Sequence, residues 1–304
     1  MITRPHVLCP IDFSPASRSA LRYALAIANR FDTRLLLLTV EDALLAEAAA
    51  AKMGVDWNRL NSERELRLFL AEALGPNVAP RIPVQIEAVT GKPAEEILRV
   101  ARDAGSALIV MSTHGRSGPS KYFFGSVTER VLRETTVPVL LTPPSDAGPA
   151  TFDALVQSAK PVLVPVDFSV VTTHQVAVAR TIASALRLPM IVTHVIEPLH
   201  VPVPAELHMP ELASERLARA QSALRALGTA APSAARCETL IVVGDAAGEI
   251  AQIARDRQVG LVVVGLHGSP FPGPRMGSVT YRILCLTPVL TLALPPAPTA
   301  AGFN

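Results

Sequence analysis

The sequence predicts an α/β protein of two tandem domains, each a five-stranded parallel sheet with helices on both faces. The first observation is an internal repeat, because residues 10–14 read PIDFS and residues 165–169 read PVDFS, 155 positions later. GSVT recurs likewise at 125–128 and 277–280. A period of that length is a whole domain. The second observation is that apolar strand-like segments alternate with helical periodicity in both halves, which is typical of doubly wound sheets.

Strands and helices alternate along the first half. The apolar strand at 6–11 is followed by Ser14 and Pro15, which suit the N-cap and the first helical position. The leucine-rich segment 34–40 is typical of a parallel strand that is covered on both sides. The other predicted strands are 84–89, 107–112 and 137–142. The first predicted helix begins at Pro15, and the others occupy 60–74, 93–104 and 126–133.

The second half repeats this order. Its predicted strands are 162–166, 190–195, 238–243, 261–265 and 289–294. Residues 143–149 read PPSDAGP and continue neither a strand nor a helix. We therefore predict a first domain at 1–143, a linker at 144–159, a second domain at 160–296 and a flexible tail at 297–304.

Composition excludes several classes of function. The 304 residues carry a formal net charge of +2, which gives no field that would recruit nucleic acid or an anionic membrane. The longest apolar segments are far shorter than the roughly 20 residues of a membrane-spanning helix. Residues 1–14 include Pro5, His6 and Asp12 where a signal peptide needs an apolar stretch. We therefore expect a cytoplasmic protein.

The cysteines and histidines form no metal motif. Cys9, Cys237 and Cys285 include no CxxC pair, and they suit reduced core residues better than a disulfide framework. The seven histidines lack the paired spacing of zinc ligands. We expect no metal site formed by side chains.

Candidate binding residues follow the strands of the first half. In open parallel sheets, ligands bind outside the carboxyl ends of the strands, near the point where strand order reverses. Asp12 follows the first strand, and Val40 ends the second. Ser112 ends the fourth strand and Gly115 follows it, and Gly125 precedes the next helix. Glycines allow a backbone to approach phosphate closely, and a helix start offers N–H donors and a positive dipole end.

These residues resemble the universal stress protein family in its tandem, two-domain form. Nucleotide-binding members of that family carry G-x2-G-x9-G-[ST], and residues 112–126 match its spacing. Companion features are Asp12 within the DFS segment, GKPA at 91–94 and VPV at 137–139. The resemblance covers both halves almost end to end. It implies flavodoxin-like (Rossmann-like) α/β units.

The resemblance implies an adenine nucleotide site for ATP, with or without Mg²⁺. Asp12 and the backbone of Val40 would border the adenine and the ribose. Ser112 and Gly115 would line the ribose and the first phosphate. The outer phosphates would accept from Gly125, Ser126 and Val127, because several donors at a helix start can hold a triphosphate without a lysine.

Both halves depart from the family motif. Ser112 replaces the first glycine, where a small side chain is needed. The second half has Gly265 there, but only eight residues separate Gly268 from Gly277, and three of them are prolines that remove backbone donors. We therefore expect the first half to bind nucleotide and regard the second as a weaker site. Its candidate residues are Asp167, Val195, Gly265, Gly268, Gly277 and Ser278.

Structural roles for two candidates stay open. Ser126 and Glu129 match the capping box S-x-x-E, so Ser126 could satisfy its own helix. Asp12 could cap the start of the first helix.

Three functions compete. The first is an ATP-binding stress or signalling module in which nucleotide occupancy biases conformation or assembly. The second is a nucleotide-free module for dimerisation or interaction, and the third is an enzyme of another doubly wound family, such as an adenylating or flavin protein. Efficient phosphoryl transfer needs a full set of metal ligands and a water-orienting group, and the sequence assigns no such set. We therefore expect no enzyme activity beyond slow hydrolysis, together with an internal pseudo-dimer and a possible homodimer.

Overall fold

The chain folds into two compact units, Met1–Leu155 and Val156–Asn304. The computed structural model describes the residues 5–43, 57–75, 80–113, 125–143, 148–149, 151–198, 209–229, 236–266 and 276–296. The domain boundaries predicted at 143 and 160 stay predictions. No helix in these ranges is long and apolar enough to cross a membrane.

The first unit alternates strands and helices as predicted. Its elements are β1 (His6–Pro10), α1 (Pro15–Arg30), β2 (Arg34–Glu41), α2 (Trp57–Leu74), β3 (Val84–Thr90), α3 (Pro93–Asp103), β4 (Ser106–Ser112), α4 (Ser126–Glu134), β5 (Val139–Thr142) and most of α5 (Phe152–Ser158). The predicted start of α1 is confirmed, because the Ser14 hydroxyl accepts from the Ser17 N–H and Pro15 opens the helix.

The second unit repeats this order. Its elements are β6 (Val162–Pro165), α6 (Thr172–Leu186), β7 (Met190–Ile196), α7 (Met209–Thr229), β8 (Cys237–Val243), α8 (Ala246–Asp256), β9 (Leu261–Gly265), α9 (Ser278–Leu286) and β10 (Leu290–Leu294). The strands of both units agree with the predicted ones to within about two residues at each end, which is the usual uncertainty of such boundaries.

Each unit has a parallel sheet. The strand order is β3-β2-β1-β4-β5 in the first unit and β8-β7-β6-β9-β10 in the second. All the strand pairs within each unit that the described residues form are parallel. This 3-2-1-4-5 order is that of Rossmann sheets rather than the 2-1-3-4-5 order of flavodoxin, and it reverses direction between β1 and β4 and between β6 and β9.

The cores explain the strand sequences. Leu35, Leu36, Leu37 and Leu38 of β2 are each at most 1% exposed, so both faces of the strand are covered. Full burial of a leucine side chain contributes roughly 1.5–3 kcal/mol. Cys9 lies at 0% exposure in β1, which confirms its assignment to the core, and this burial raises the pKa of its thiol.

Helix α5 lies within the predicted linker, and the sequence analysis missed it. Its Phe152 ring packs edge-on against Phe31, with the ring centroids 5.6 Å apart. The Arg30 guanidinium lies 5.7 Å from both ring centroids. Leu155 is buried, and the Thr151 hydroxyl accepts from the Ala154 N–H. The predicted linker therefore has its proline and glycine residues near its start and a helix near its end.

A buried amide joins the two central strands of the second unit. Strands β6 and β9 pair only at Val162–Leu261 and Leu163–Val262, and then they separate. The Gln175 side chain of α6 is 3% exposed, and its Nε2 donates to the carbonyls of Pro165 (2.7 Å) and Val263 (2.9 Å). Both carbonyls therefore have a partner beyond the last paired residues. The equivalent position of the first repeat is Ala20.

We expect Gln175→Leu to destabilise the second unit by about 2–4 kcal/mol, because it leaves two buried carbonyls without this donor. Urea unfolding measures the change. Gln252→Leu is the matched control, since the exposed Gln252 amide bonds to Asp256 on the same helix, and we expect a change within about 0.5 kcal/mol. Equal changes for the two variants would contradict the bridging role.

Candidate functional site

The start of α4 offers backbone donors at the carboxyl end of β4. Gly125 is the N-cap, and no side chain among the described residues caps the helix. The N–H groups of Ser126, Val127 and Thr128 have no acceptor within the helix, because they lie in its first turn. Ser126 is exposed. The first turn of α4 is therefore suited to an anion.

The proposed capping box does not form. Ser126 is the first helical residue rather than the N-cap. The Glu129 carboxylate instead accepts from Arg133 Nη2 at 2.5 Å and Nε at 3.1 Å, one turn further along α4. Serine at the first helical position cannot accept from the third residue in the capping geometry. Ser126 is thus not committed to capping.

Two hydrogen bonds hold the first turn of α4 against β4. Thr128 Oγ1 donates to the Ser112 carbonyl (3.1 Å), and the Gly125 N–H donates to the Thr113 carbonyl (3.1 Å). These contacts bring four predicted residues to one edge of the sheet: Ser112, Gly125, Ser126 and Val127. Thr128 was not assigned a role from the sequence, although its recurrence in GSVT was the available signal.

Asp12 lies beside the start of α1 but does not cap it. Its Oδ1 accepts from the Ser14 hydroxyl (2.6 Å) and from the Ser14 N–H (3.1 Å). Ser14 in turn is the N-cap and accepts from Ser17 (3.1 Å). Phe13 between them has a left-handed backbone (φ 61°), and its ring packs edge-on against Phe69 at 5.6 Å. Asp12 therefore orients the capping serine from the carboxyl end of β1.

Val40 and Glu41 end β2, which neighbours β1 on the side away from β4. Val40 is half-buried and pairs with Val89 of β3. The Glu41 carbonyl accepts from the Gly91 N–H (3.0 Å), and its carboxylate accepts from the Ser62 hydroxyl. The end of β2 is thereby fixed by β3 and α2. Gly115 and Gly268, the other predicted loop residues, lie outside the described residues.

The second unit repeats the joint between strand and helix. Gly277 is the N-cap of α9, Thr280 Oγ1 donates to the Gly265 carbonyl (3.1 Å), and the Gly277 N–H donates to Leu266 (3.2 Å). Ser278 is exposed, as Ser126 is. The structure therefore brings Gly265, Gly277 and Ser278 together at the carboxyl edge of the second sheet.

The residues that follow β6 have different hydrogen-bond partners from those that follow β1. Asp167 accepts from the Ser169 N–H (2.9 Å) and from the Thr172 hydroxyl (3.2 Å). The centroids of the Phe168 and His194 rings lie 4.3 Å apart, and His194 Nδ1 is 2.8 Å from the Val166 carbonyl oxygen. His194 immediately precedes Val195, and the sequence analysis did not single it out.

The ends of β4 and β5 carry hydroxyl groups, whereas the ends of β9 and β10 do not. Ser112 pairs with Thr142, whose fully buried hydroxyl has no hydrogen-bond partner among the described residues. In the second unit, Gly265 pairs with Leu294. A Cβ atom on Gly265 would lie 3.0 Å from Val171. The first unit has the smaller Ala16 at the position equivalent to Val171. This difference explains why a serine is tolerated at 112 and a glycine is favoured at 265.

The starts of α3 and α8 carry opposite charges. Lys92 is the N-cap of α3, and its ammonium group lies 3.4 Å from the Glu95 carboxylate in the first turn. Asp245 is the N-cap of α8, where it accepts from the Gly248 N–H (2.9 Å). Both Asp245 oxygens also accept from Arg282 of α9, each at 2.8 Å. The Arg282 hydrogen bond and then the Gly248 N–H lower the pKa of Asp245.

We expect Asp245→Asn to lower the thermal midpoint at pH 7, because asparagine keeps the cap but loses the charge pair. The folded pKa of Asp245 is depressed, so its contribution is present above the ordinary aspartate pKa of about 3.9 and is lost as pH falls through the folded value. The midpoint difference from wild type should therefore shrink below about pH 4. A difference that stays constant from pH 7 to pH 2 would contradict this account.

No group of three potential metal-binding side chains occurs among the described residues. The donors at the carboxyl edge of the first unit are backbone N–H groups and hydroxyls. Such groups favour a ligand with anionic oxygens.

The universal stress protein family matches the sequence twice, at residues 3–143 and 158–294. The chain therefore belongs to this family. Universal stress protein MJ0577 of Methanocaldococcus jannaschii is 30% identical over 154 residues, covering 44% of this chain and 92% of that protein. Universal stress protein Rv2005c of Mycobacterium tuberculosis is 32% identical over 136 residues, covering 44% of each chain.

Solved structures share the fold over both units. PA1789 of Pseudomonas aeruginosa, described as functionally unknown, has a TM-score of 0.63 at 16% identity, covering 96% of this chain and 93% of that one. A universal stress protein of Archaeoglobus fulgidus has a TM-score of 0.62 at 17% identity, covering 96% and 97%. At these identities the likeness shows the Rossmann-like tandem fold.

Proposed function

We propose that this universal stress protein is an ATP-binding, nucleotide-responsive stress or signalling module with its site in the first unit. The observation that carries the proposal is the first turn of α4, where three N–H groups lie uncapped beside the carboxyl end of β4. A helix start of this kind binds phosphate through its donors and its positive dipole end. ATP would bring any Mg²⁺ with its own phosphates.

The remaining site residues fit an adenosine. Strand order reverses between β1 and β4, which is where ligands of doubly wound sheets bind. Asp12 lies after β1, and Val40 lies at the end of β2, one strand further from the phosphate-binding turn. The nucleoside would extend from α4 across β1 towards β2, with Ser112 beside the ribose.

Two differences favour the first unit over the second. The strand ends of the first unit carry the hydroxyls of Ser112 and Thr142, where the second has Gly265 and Leu294. Val171 packs closely over Gly265.

The second unit suits the alternative role of a nucleotide-free interaction module. Gln175 already bridges its central strands, and Val171 covers the end of β9. We propose that this unit contributes to the pseudo-dimer or to a homodimer rather than to nucleotide binding. The cytoplasmic location expected from the sequence stays a prediction.

We propose a binding role rather than an enzymatic one. Efficient phosphoryl transfer needs positioned metal ligands and a group that orients water. The residues brought together at α4 instead supply backbone donors and hydroxyls, which bind phosphate in its ground state. Hydrolysis would accordingly be slow.

Ser126→Asp separates helix stability from ligand binding. A carboxylate in the first turn favours the helix by about 0.3–1 kcal/mol. The same charge repels the phosphates, so we expect ATP affinity to fall about tenfold or more. Calorimetric titration with ATP measures the affinity, and thermal unfolding measures the stability. Ser126→Asn is the uncharged control and should bind ATP more tightly than Ser126→Asp.

Ser278→Asp is the matched variant in the second unit, because Ser278 is also the exposed first residue of an uncapped helix. We expect ATP affinity equal to that of the wild type. A loss of affinity in Ser278→Asp but not in Ser126→Asp would move the site to the second unit. No ATP binding by the wild-type protein would favour the nucleotide-free alternative.

A further inference from the structure

Both helices at the carboxyl edges begin on glycine, and neither has a side-chain cap among the described residues. A glycine N-cap leaves the first turn without the hydrogen bond that a serine or aspartate would supply. In each unit a threonine in the third helical position bonds instead to the preceding strand, as Thr128 does to Ser112 and Thr280 does to Gly265. The first turn is thus fixed from outside the helix.

We propose that Thr128 is a positioning residue for phosphate binding, an inference that rests on the proposed function. Thr128 is 4% exposed, so its hydroxyl acts within the protein rather than on the ligand. It sets where the N–H groups of Ser126 and Val127 lie relative to the end of β4.

Two bonds to successive carbonyls define the position of the turn. Thr128 Oγ1 reaches Ser112, while the Gly125 N–H reaches Thr113, each at 3.1 Å. The buried side chains of Val131 and Leu132 hold the helix further along, whereas these two bonds act at its first turn. Donors that act together on one anion must be held to within about 0.5 Å of their binding geometry. Loss of the Thr128 bond therefore weakens phosphate binding more than it weakens contacts to the nucleoside.

The second repeat supplies the control for a merely structural role. Thr280 makes the same bond over the same distance of 3.1 Å, in the unit where no nucleotide is proposed to bind. Thr280→Val therefore reproduces the structural cost of losing this bond. If Thr128→Val loses no more thermal stability than Thr280→Val, its loss of ATP affinity does not come from unfolding.

The test compares ATP with adenosine by calorimetry, using the full-length chain as wild type, Thr128→Val, Thr128→Ser and Thr280→Val. For Thr128→Val we expect ATP affinity to fall about tenfold and adenosine affinity to fall by less than about twofold. Thr128→Ser restores the hydroxyl and should restore the ATP-to-adenosine ratio. Thr280→Val should bind both ligands as the wild type does.

Two results would overturn the positioning role while leaving the proposed function intact. One is wild-type ATP affinity in Thr128→Val, and the other is an equal loss for ATP and adenosine. If Thr128→Val does not fold, Thr128→Ala is read in the same way. Wild-type protein that binds neither ligand would overturn the proposed function, and the positioning role with it.

Discussion

The two central strands of each unit stop pairing before their carboxyl ends, and the candidate site depends on that separation. Strands β1 and β4 pair as far as Leu8 and Ile109, after which β1 continues to Pro10 and β4 to Ser112. Parallel strands that part at a reversal of strand order leave a crevice at their carboxyl ends, since their connections run to opposite faces. Asp12 follows β1, and the Gly125 N–H at the start of α4 donates to the Thr113 carbonyl after β4, so both lie at this edge of the sheet.

The two repeats treat the same separation differently. In the second unit, the Gln175 amide bridges the separating strands and Val171 covers Gly265. In the first unit, alanines at 16 and 20 replace these two residues, and hydroxyls at Ser112 and Thr142 end the strands. A duplicated fold can thus keep the joint between strand and helix in both halves while the residues that end the fourth and fifth strands differ in polarity.

The sequence predicts the architecture well, because continuous apolar segments and the 3.6-residue period of the helices report directly on burial. It also predicts the helix that begins at Ser126, because the signal for that start is local. It misses α5, since short helices are stabilised by contacts such as Phe152 on Phe31 rather than by their own pattern. It gives Thr128, Gln175 and His194 no role, because their partners lie 16, 88 and 28 positions away and only the fold brings them together.

The most direct test of the central claim is an amide NMR titration of the intact protein with ATP. We expect the largest shift changes on the N–H groups of Ser126, Val127 and Thr128, with smaller changes at Asp12 and Val40. The amides of Ser278, Val279 and Thr280 should stay unchanged. Shift changes confined to those three amides, or none at either helix start, would contradict a phosphate site on the first turn of α4.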